Sequence, residues 1–372
     1  MFNKRLFAPA AILFACLAGE FRASAQSTMC YTVESLEGTF TVIGTYASNL
    51  AIAFSVREHD ASGGFVGPFI INQPVAGSTT GERNIINGTN RGSFQVNCDG
   101  SGVITRTATL ADGTTIPTYD DFMITDGIVR DGKLVATVVM DAQRSPSSVQ
   151  GSFLTRKHVR RLNSKTAGCY TLASLQGSYG VAVNYDFNAA LGLQPEYLDG
   201  EGNLWRRGIN NQPVAGSTTG ERTVGTVTSA GTYTVECNGT GKITRIVTRP
   251  DGTKATAVDD FIIREAVQKD GRLLATSLFD VQGGPAVVGA GTALVTRVHT
   301  LRPNANESVE SQLQMLACGA NASAGTCQAS VSVWNYYLIA TVDPKASPLV
   351  SGDGTQLMSV QHYLWMRAAA QL

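Results

Sequence analysis

Residues 92–110, GSFQVNCDGSGVITRTATL, read as two strands joined by a turn. Phe94 and Val96 alternate with polar neighbours, as Ile104 does with Thr105, which is the period of two of a half-buried strand. Between them, Asp99-Gly100 signals a hairpin, because glycine accepts the positive φ of a tight turn. The same pattern extends both ways. Strands are expected at 38–46, 50–57, 65–71, 121–125, 133–141 and 151–157, with turn signals at Asp112-Gly113, Asp126-Gly127 and Asp131-Gly132. About eight strands in sequential hairpins, with no long helix among them, fit an all-β, antiparallel up-and-down β-barrel. A β-sandwich of the same strands is the alternative. A parallel α/β sheet is excluded because crossover helices are missing.

The pattern then repeats. Cys30-Tyr31-Thr32 returns as Cys169-Tyr170-Thr171, and NQPVAGSTTGER at 72–83 returns letter for letter at 211–222, both at an offset of 139. Laid over each other from residue 30 to 146, the copies agree at about 50 of 117 positions. That period is too long for a solenoid unit, so each copy should be a domain with its own core. The division expected is 26–162 for the first barrel, 169–303 for the second, and 304–372 for a C-terminal extension with one or two helices.

Residues 1–25 have the layout of an export signal: Lys4 and Arg5, an apolar run from Leu6 to Ala18, and Ala23-Ser24-Ala25 as a small-residue cleavage site. The expected location is secreted or periplasmic after cleavage behind Ala25. Lipid attachment at Cys16 is the alternative, since Leu13-Phe14-Ala15-Cys16 is faintly lipobox-like. Six cysteines remain beyond Cys16, and six permit fifteen pairings. Equivalent positions in the two copies favour Cys30–Cys98 and Cys169–Cys237, which leaves Cys318–Cys327 in the tail. A zinc site is disfavoured because no Cys-x-x-Cys pair occurs and the four histidines are scattered.

Lysine plus arginine number 29, as do aspartate plus glutamate, so the chain has no basic footprint for nucleic acid and no charge excess for an anionic membrane surface. No later stretch is long and apolar enough to span a bilayer as a helix. The sequence names no protein partner, cofactor or metal, and carries no G-x-S-x-G, H-E-x-x-H or Cys–His pairing for catalysis.

The sharpest local feature is the repeated block. Its polar residues, Asn72, Ser78, Thr79, Thr80, Glu82 and Arg83, with Asn211, Ser217, Thr218, Thr219, Glu221 and Arg222 in the second copy, are the candidate ligand-binding set. Each block would form an exposed rim loop in which Glu82 or Glu221 orients an arginine toward an anionic or carbonyl-bearing small molecule. Asp120-Asp121 and Asp259-Asp260 should put one carboxylate inside the barrel and one outside, since neighbours on a strand face opposite ways. His158 and His299 stand near basic residues at a strand end, which suggests the surface.

Gly38-Thr39-Phe40 and Gly177-Ser178-Tyr179 on the first strands, with Thr155-Arg156 and Thr296-Arg297 on the last, resemble the calycin superfamily of lipocalin, fatty-acid-binding and avidin barrels. There a first-strand G-x-W packs under a basic residue of the last strand; here no tryptophan fills that place. The pieces Leu175 to Tyr179, Asp199 to Asn203 and Gly231 to Thr240 also resemble secreted bacterial β-barrel domains to which no activity is assigned. The function expected is that of an exported, non-catalytic protein with a small-molecule site in or at the mouth of each barrel. A structural or surface-interaction protein with filled barrels, and a calycin-like isomerase or cyclase, are the alternatives.

Overall fold

The computed structural model describes residues 29–47, 51–144, 153–161, 168–185, 190–284, 286–288 and 291–302. The leader, Cys16, the Cys318–Cys327 pairing and the helices expected in the tail lie outside the described residues.

The first copy forms β1 (Gly38–Ala47), β2 (Ala51–His59), β3 (Gly64–Pro74), β4 (Arg83–Val96), β5 (Ser101–Leu110), β6 (Thr115–Arg130), β7 (Lys133–Gln143) and β8 (Phe153–Arg160). Each strand is antiparallel to the next and β8 closes on β1, so the sheet is a complete barrel rather than a sandwich. The second copy repeats this with β9 (Gln176–Tyr185), β10 (Ala190–Asp199), β11 (Asn203–Pro213), β12 (Arg222–Val235), β13 (Thr240–Thr248), β14 (Lys254–Lys269) and β15 (Arg272–Gln282). A short hairpin of β16 (Ala286–Val288) and β17 (Gly291–Ala293) then leads to β18 (Val295–Leu301), which closes on β9. Closure leaves no free sheet edge in either barrel.

Turn chemistry explains most of the links. Asp131 and Gly132 both take positive φ, 51° and 74°, forming the two-residue primed turn between β6 and β7. Asp126-Gly127 is not a turn: it lies within β6 at a register shift against β7. A Cβ on Gly127 would stand 2.8 Å from the Tyr31 hydroxyl, so close packing is what requires glycine there. Sequence reading also missed the first half of β4, since Asn84 to Asn90 lacks clean alternation.

Apolar side chains close the lower end of barrel 1. Leu36, from a 3-10 turn at Val33–Leu36, packs with Phe40, Phe65, Phe94, Ile104 and Phe122. The Arg160 guanidinium lies 4.7 Å from the centre of the Phe40 ring and donates to the Ser35 carbonyl at 2.8 Å. The last-strand cation over the first-strand aromatic is thus Arg160 and not Arg156, which lies two pleats away and points into the barrel. In barrel 2 the Tyr179 hydroxyl instead donates to the Ala275 carbonyl at 2.8 Å, and Leu301 stands at the position of Arg160. Disulfides Cys30–Cys98 and Cys169–Cys237 tie the start of each copy to the β4–β5 and β12–β13 turns. Such bonds are compatible with an extracellular or periplasmic location. Among the described residues no helix is long and apolar enough to cross a membrane.

The barrels also touch each other. Ile52, Phe54 and Val56 on the outside of β2 pack against Ile262 of β14 and Phe279 and Val281 of β15. Around this apolar contact, the Thr41 hydroxyl and the Arg161 guanidinium both donate to the Ile263 carbonyl, at 3.1 and 2.6 Å. Arg161 also covers the Tyr170 ring at 5.3 Å, and Asn72 Nδ2 donates to the Gln282 carbonyl at 2.9 Å.

Candidate ligand site inside the first barrel

The repeated block turns out to be the β3–β4 hairpin, with Pro74 paired to Arg83, and its twin is the β11–β12 hairpin. It does sit at the upper rim, but its polar groups are engaged with one another. Arg83 Nε donates to Asn72 Oδ1 at 2.6 Å and its Nη2 to the Asn72 carbonyl at 3.0 Å. Arg222 and Asn211 repeat both bonds at 2.7 and 3.0 Å. The Ser78 hydroxyl accepts from the backbone N–H of Glu82 at 3.0 Å and lies 3.2 Å from the Thr80 hydroxyl; Ser217, Glu221 and Thr219 do the same. The side chains of Thr79, Thr218, Glu82 and Glu221 face solvent, and asparagine rather than glutamate orients each arginine. Asn72 is wholly buried because it also reaches the second barrel.

The charged groups that converge lie deeper, on inward-facing positions of the strands. In barrel 1, Arg106 Nε donates to Asp120 Oδ2 at 2.7 Å and Nη1 to Asn90 Oδ1 at 3.0 Å. Arg156 bridges Asp120 at 2.6 Å and Asp141 at 2.9 Å, and Asp141 meets His158 Nε2 at 2.6 Å. As expected, Asp121 points outward, to Arg144. His158 and His299 are instead fully buried, a correction to the surface position expected. The run Arg156-x-His158 places both on the inner face, so they share one interior.

Arg57 stands apart from these pairs. It is 1% exposed, stacks over the Phe65 ring at 4.9 Å, and its Nε and Nη1 have no hydrogen-bond partner. Burial pushes it down to about 9, and Arg156 and Arg106 add to the fall against the pull of Asp141 and Asp120. It therefore remains charged at neutral pH. Above it opens a small pocket toward the barrel mouth, whose floor includes Arg57, Arg106, Arg156, Asn90 and Thr118. Its walls are apolar: Tyr46, Ala53, Phe69, Ile71, Ala108 and Leu154.

Barrel 2 fills the same space with counter-charges. Position 57 becomes Glu196 and position 67, a glycine, becomes Arg206. Arg206 Nε donates to Glu196 Oε1 at 2.9 Å, and His299 lies between Glu196 and Asp280 at 2.6 and 2.7 Å. Arg297 donates to Asp280 at 2.7 Å and to Asp259 at 3.1 Å, and Arg245 to Asp259 at 2.7 Å. Asp260, unlike Asp121, is buried, capped by Lys242 at 2.5 Å. Three arginines thus meet three carboxylates, whereas barrel 1 sets three arginines against two.

The histidines make the barrels respond to pH in opposite senses. Burial holds His158 below its ordinary value despite Asp141. Burial also opposes charge on His299, but Glu196 and Asp280 outweigh it and raise that histidine. A depressed histidine favours folding above its unfolded value near 6.5 and loses that contribution as pH falls. A raised one favours folding below that value and loses it as pH rises. Relative to wild type, His299→Gln is expected to cost more at about pH 5.5 than at about pH 7.5, and His158→Gln less. Urea unfolding of both variants at the two pH values checks this.

Among the described residues no group of three or more His, Cys, Asp or Glu is placed to hold a metal ion. No protein-family model matches the chain, and no curated protein shows significant similarity to it.

Proposed function

We propose that the protein is an exported, non-catalytic binding protein whose first barrel takes a small molecule with one negative charge on an apolar body. The leader and the two disulfides support export. One observation carries the binding reading: Arg57 is a buried cation with unpaired N–H groups at the floor of an apolar-walled opening. A buried charge without a partner is costly, and buried donors are normally satisfied. The second copy supports the missing charge being negative, since Glu196 occupies the place of Arg57 and balances its barrel. With both histidines of barrel 1 depressed, the excess there is a single positive charge, which favours a monoanion such as a carboxylate. Barrel 2, in which each arginine has a carboxylate, acts as the scaffold.

Hexanoate and hexanol, which share an apolar body, separate charge from greasiness. Isothermal titration is expected to give binding of hexanoate and a roughly 10- to 100-fold weaker response to hexanol, the worth of about 1.5–3 kcal/mol for a charged hydrogen bond. Arg57→Met should bring hexanoate down to the level of hexanol. Equal binding of both compounds by wild type, or hexanoate binding that survives Arg57→Met, would rule the reading out.

A further inference from the structure

We infer that the protein associates with further copies of itself head to tail, the outer face of β10–β11 of one molecule seating on the outer face of β6–β8 of the next. The contact between the two barrels of one chain joins two unlike faces. Barrel 1 offers β2 and β3, with Ile52, Phe54 and Ile70; barrel 2 offers β14, β15 and the approach to β18, with Ile262, Phe279 and Leu294. Because the barrels are repeats, each also carries the face that the other uses. Neither of those two remaining faces is covered by the described residues of the same chain.

Both remain apolar. The counterparts of Ile52, Phe54 and Ile70, at an offset of 139, are Leu191, Leu193 and Ile209, exposed by 58%, 63% and 45%. The counterparts of Ile262 and Phe279 are Met123 and Met140; that of Leu294, at 141 after the two-residue insertion, is Phe153. These three are 47%, 39% and 54% exposed. Leu193 and Ile209 are direct cross-strand partners, as are Met123 and Met140, so each face carries an adjacent apolar pair. Solvent-facing barrel positions are ordinarily polar, and clustered exposed apolar side chains mark an interaction surface.

The polar frame is duplicated with the faces. Asn72 and Gln282, which bond across the intrachain contact, return as Asn211 and Gln143. Arg161 over Tyr170 returns as Arg302 and Tyr31. Several positions depart: Gly180 lacks the hydroxyl of Thr41, Lys157 replaces Val298, and Pro195, Ala182 and Ala142 stand in the places of Val56, Ile43 and Val281. The contact between chains is therefore the weaker version of the one within the chain. Since the joined faces differ, the contact is heterologous, and each added molecule presents a fresh face at either end.

Sedimentation velocity of the purified protein across a concentration series is expected to show mass above the monomer that rises with concentration. Leu193→Lys blocks one face and Phe153→Asp the other; both side chains are solvent-facing, and Leu191→Lys and Met123→Lys serve if either variant fails to fold. Each single variant should be monomeric alone, while an equimolar mixture should form a one-to-one dimer through the two faces left intact. The double variant should pair with neither. Wild type that stays monomeric at every concentration, as it would if the C-terminal extension covered a face, overturns the inference. So does a mixture that remains monomeric, or one variant that assembles as wild type does, which would mean a symmetric contact of like faces.

Discussion

Asp280→Asn is expected to destabilise the second barrel by about 3–5 kcal/mol, the cost of stranding a buried charge by removing its partner. Asn has the same volume, so no cavity contributes. One carboxylate oxygen of Asp280 accepts from Arg297 at 2.7 Å, the other meets His299 at 2.7 Å, and Arg206 lies 3.9 Å away. Loss of its charge leaves three buried arginines facing two carboxylates. Acid should do to the wild type what the substitution does at neutral pH. Burial would raise Glu196, but Arg206 and His299 hold it at about 2, against 4.5 when unfolded. A depressed carboxylate stabilises above its unfolded value and loses that contribution as pH falls through the folded one, so barrel 2 should weaken between pH 4.5 and 2. Urea unfolding at neutral pH, followed by acid titration of both proteins, should show the variant starting lower and losing less.

Arg57→Met, by contrast, is expected to stabilise the ligand-free protein, by about 1–3 kcal/mol, because the substitution removes a buried charge that has no carboxylate and keeps the volume of the stem. The same change abolishes the response to hexanoate. Gain of stability with loss of binding is the signature of a side chain kept for its ligand. A thermal melt without ligand reads the first effect. A large loss of stability would mean that Arg57 is held by the protein after all, and would remove the basis of the proposed site.

The barrels were legible in the sequence because a closed antiparallel sheet advertises itself through period-two alternation and Asp-Gly turns. The disulfide pairing was legible from the repeat. The rim block drew attention because twelve residues recur unchanged, yet Asn72 and Arg83 recur, as Asn211 and Arg222, to hold a hairpin together, and Asn72 also docks one barrel on the other. The charged interior was harder to read. Arg106, Asp141 and His158 look like ordinary polar positions on strands until register shows that they share one inner face with Arg57. What the sequence does carry is a contrast: Arg57 against Glu196, and Gly67 against Arg206, inside otherwise matching strands. Differences between the copies, more than identities, point to the site.

The pairing of β2 with β14 and β15 across the two barrels has a consequence for how such a chain is held together. Unlike faces of one repeated domain can meet whether or not the domains are covalently joined. Separate barrels would depend on concentration to find each other. A connection of a few residues between Arg161 and Gly168 replaces that dependence with a local concentration on the order of millimolar. Contacts such as Asn72 to Gln282 then persist at dilutions where free barrels would part, and residues lining the contact can vary without the two halves drifting away from each other.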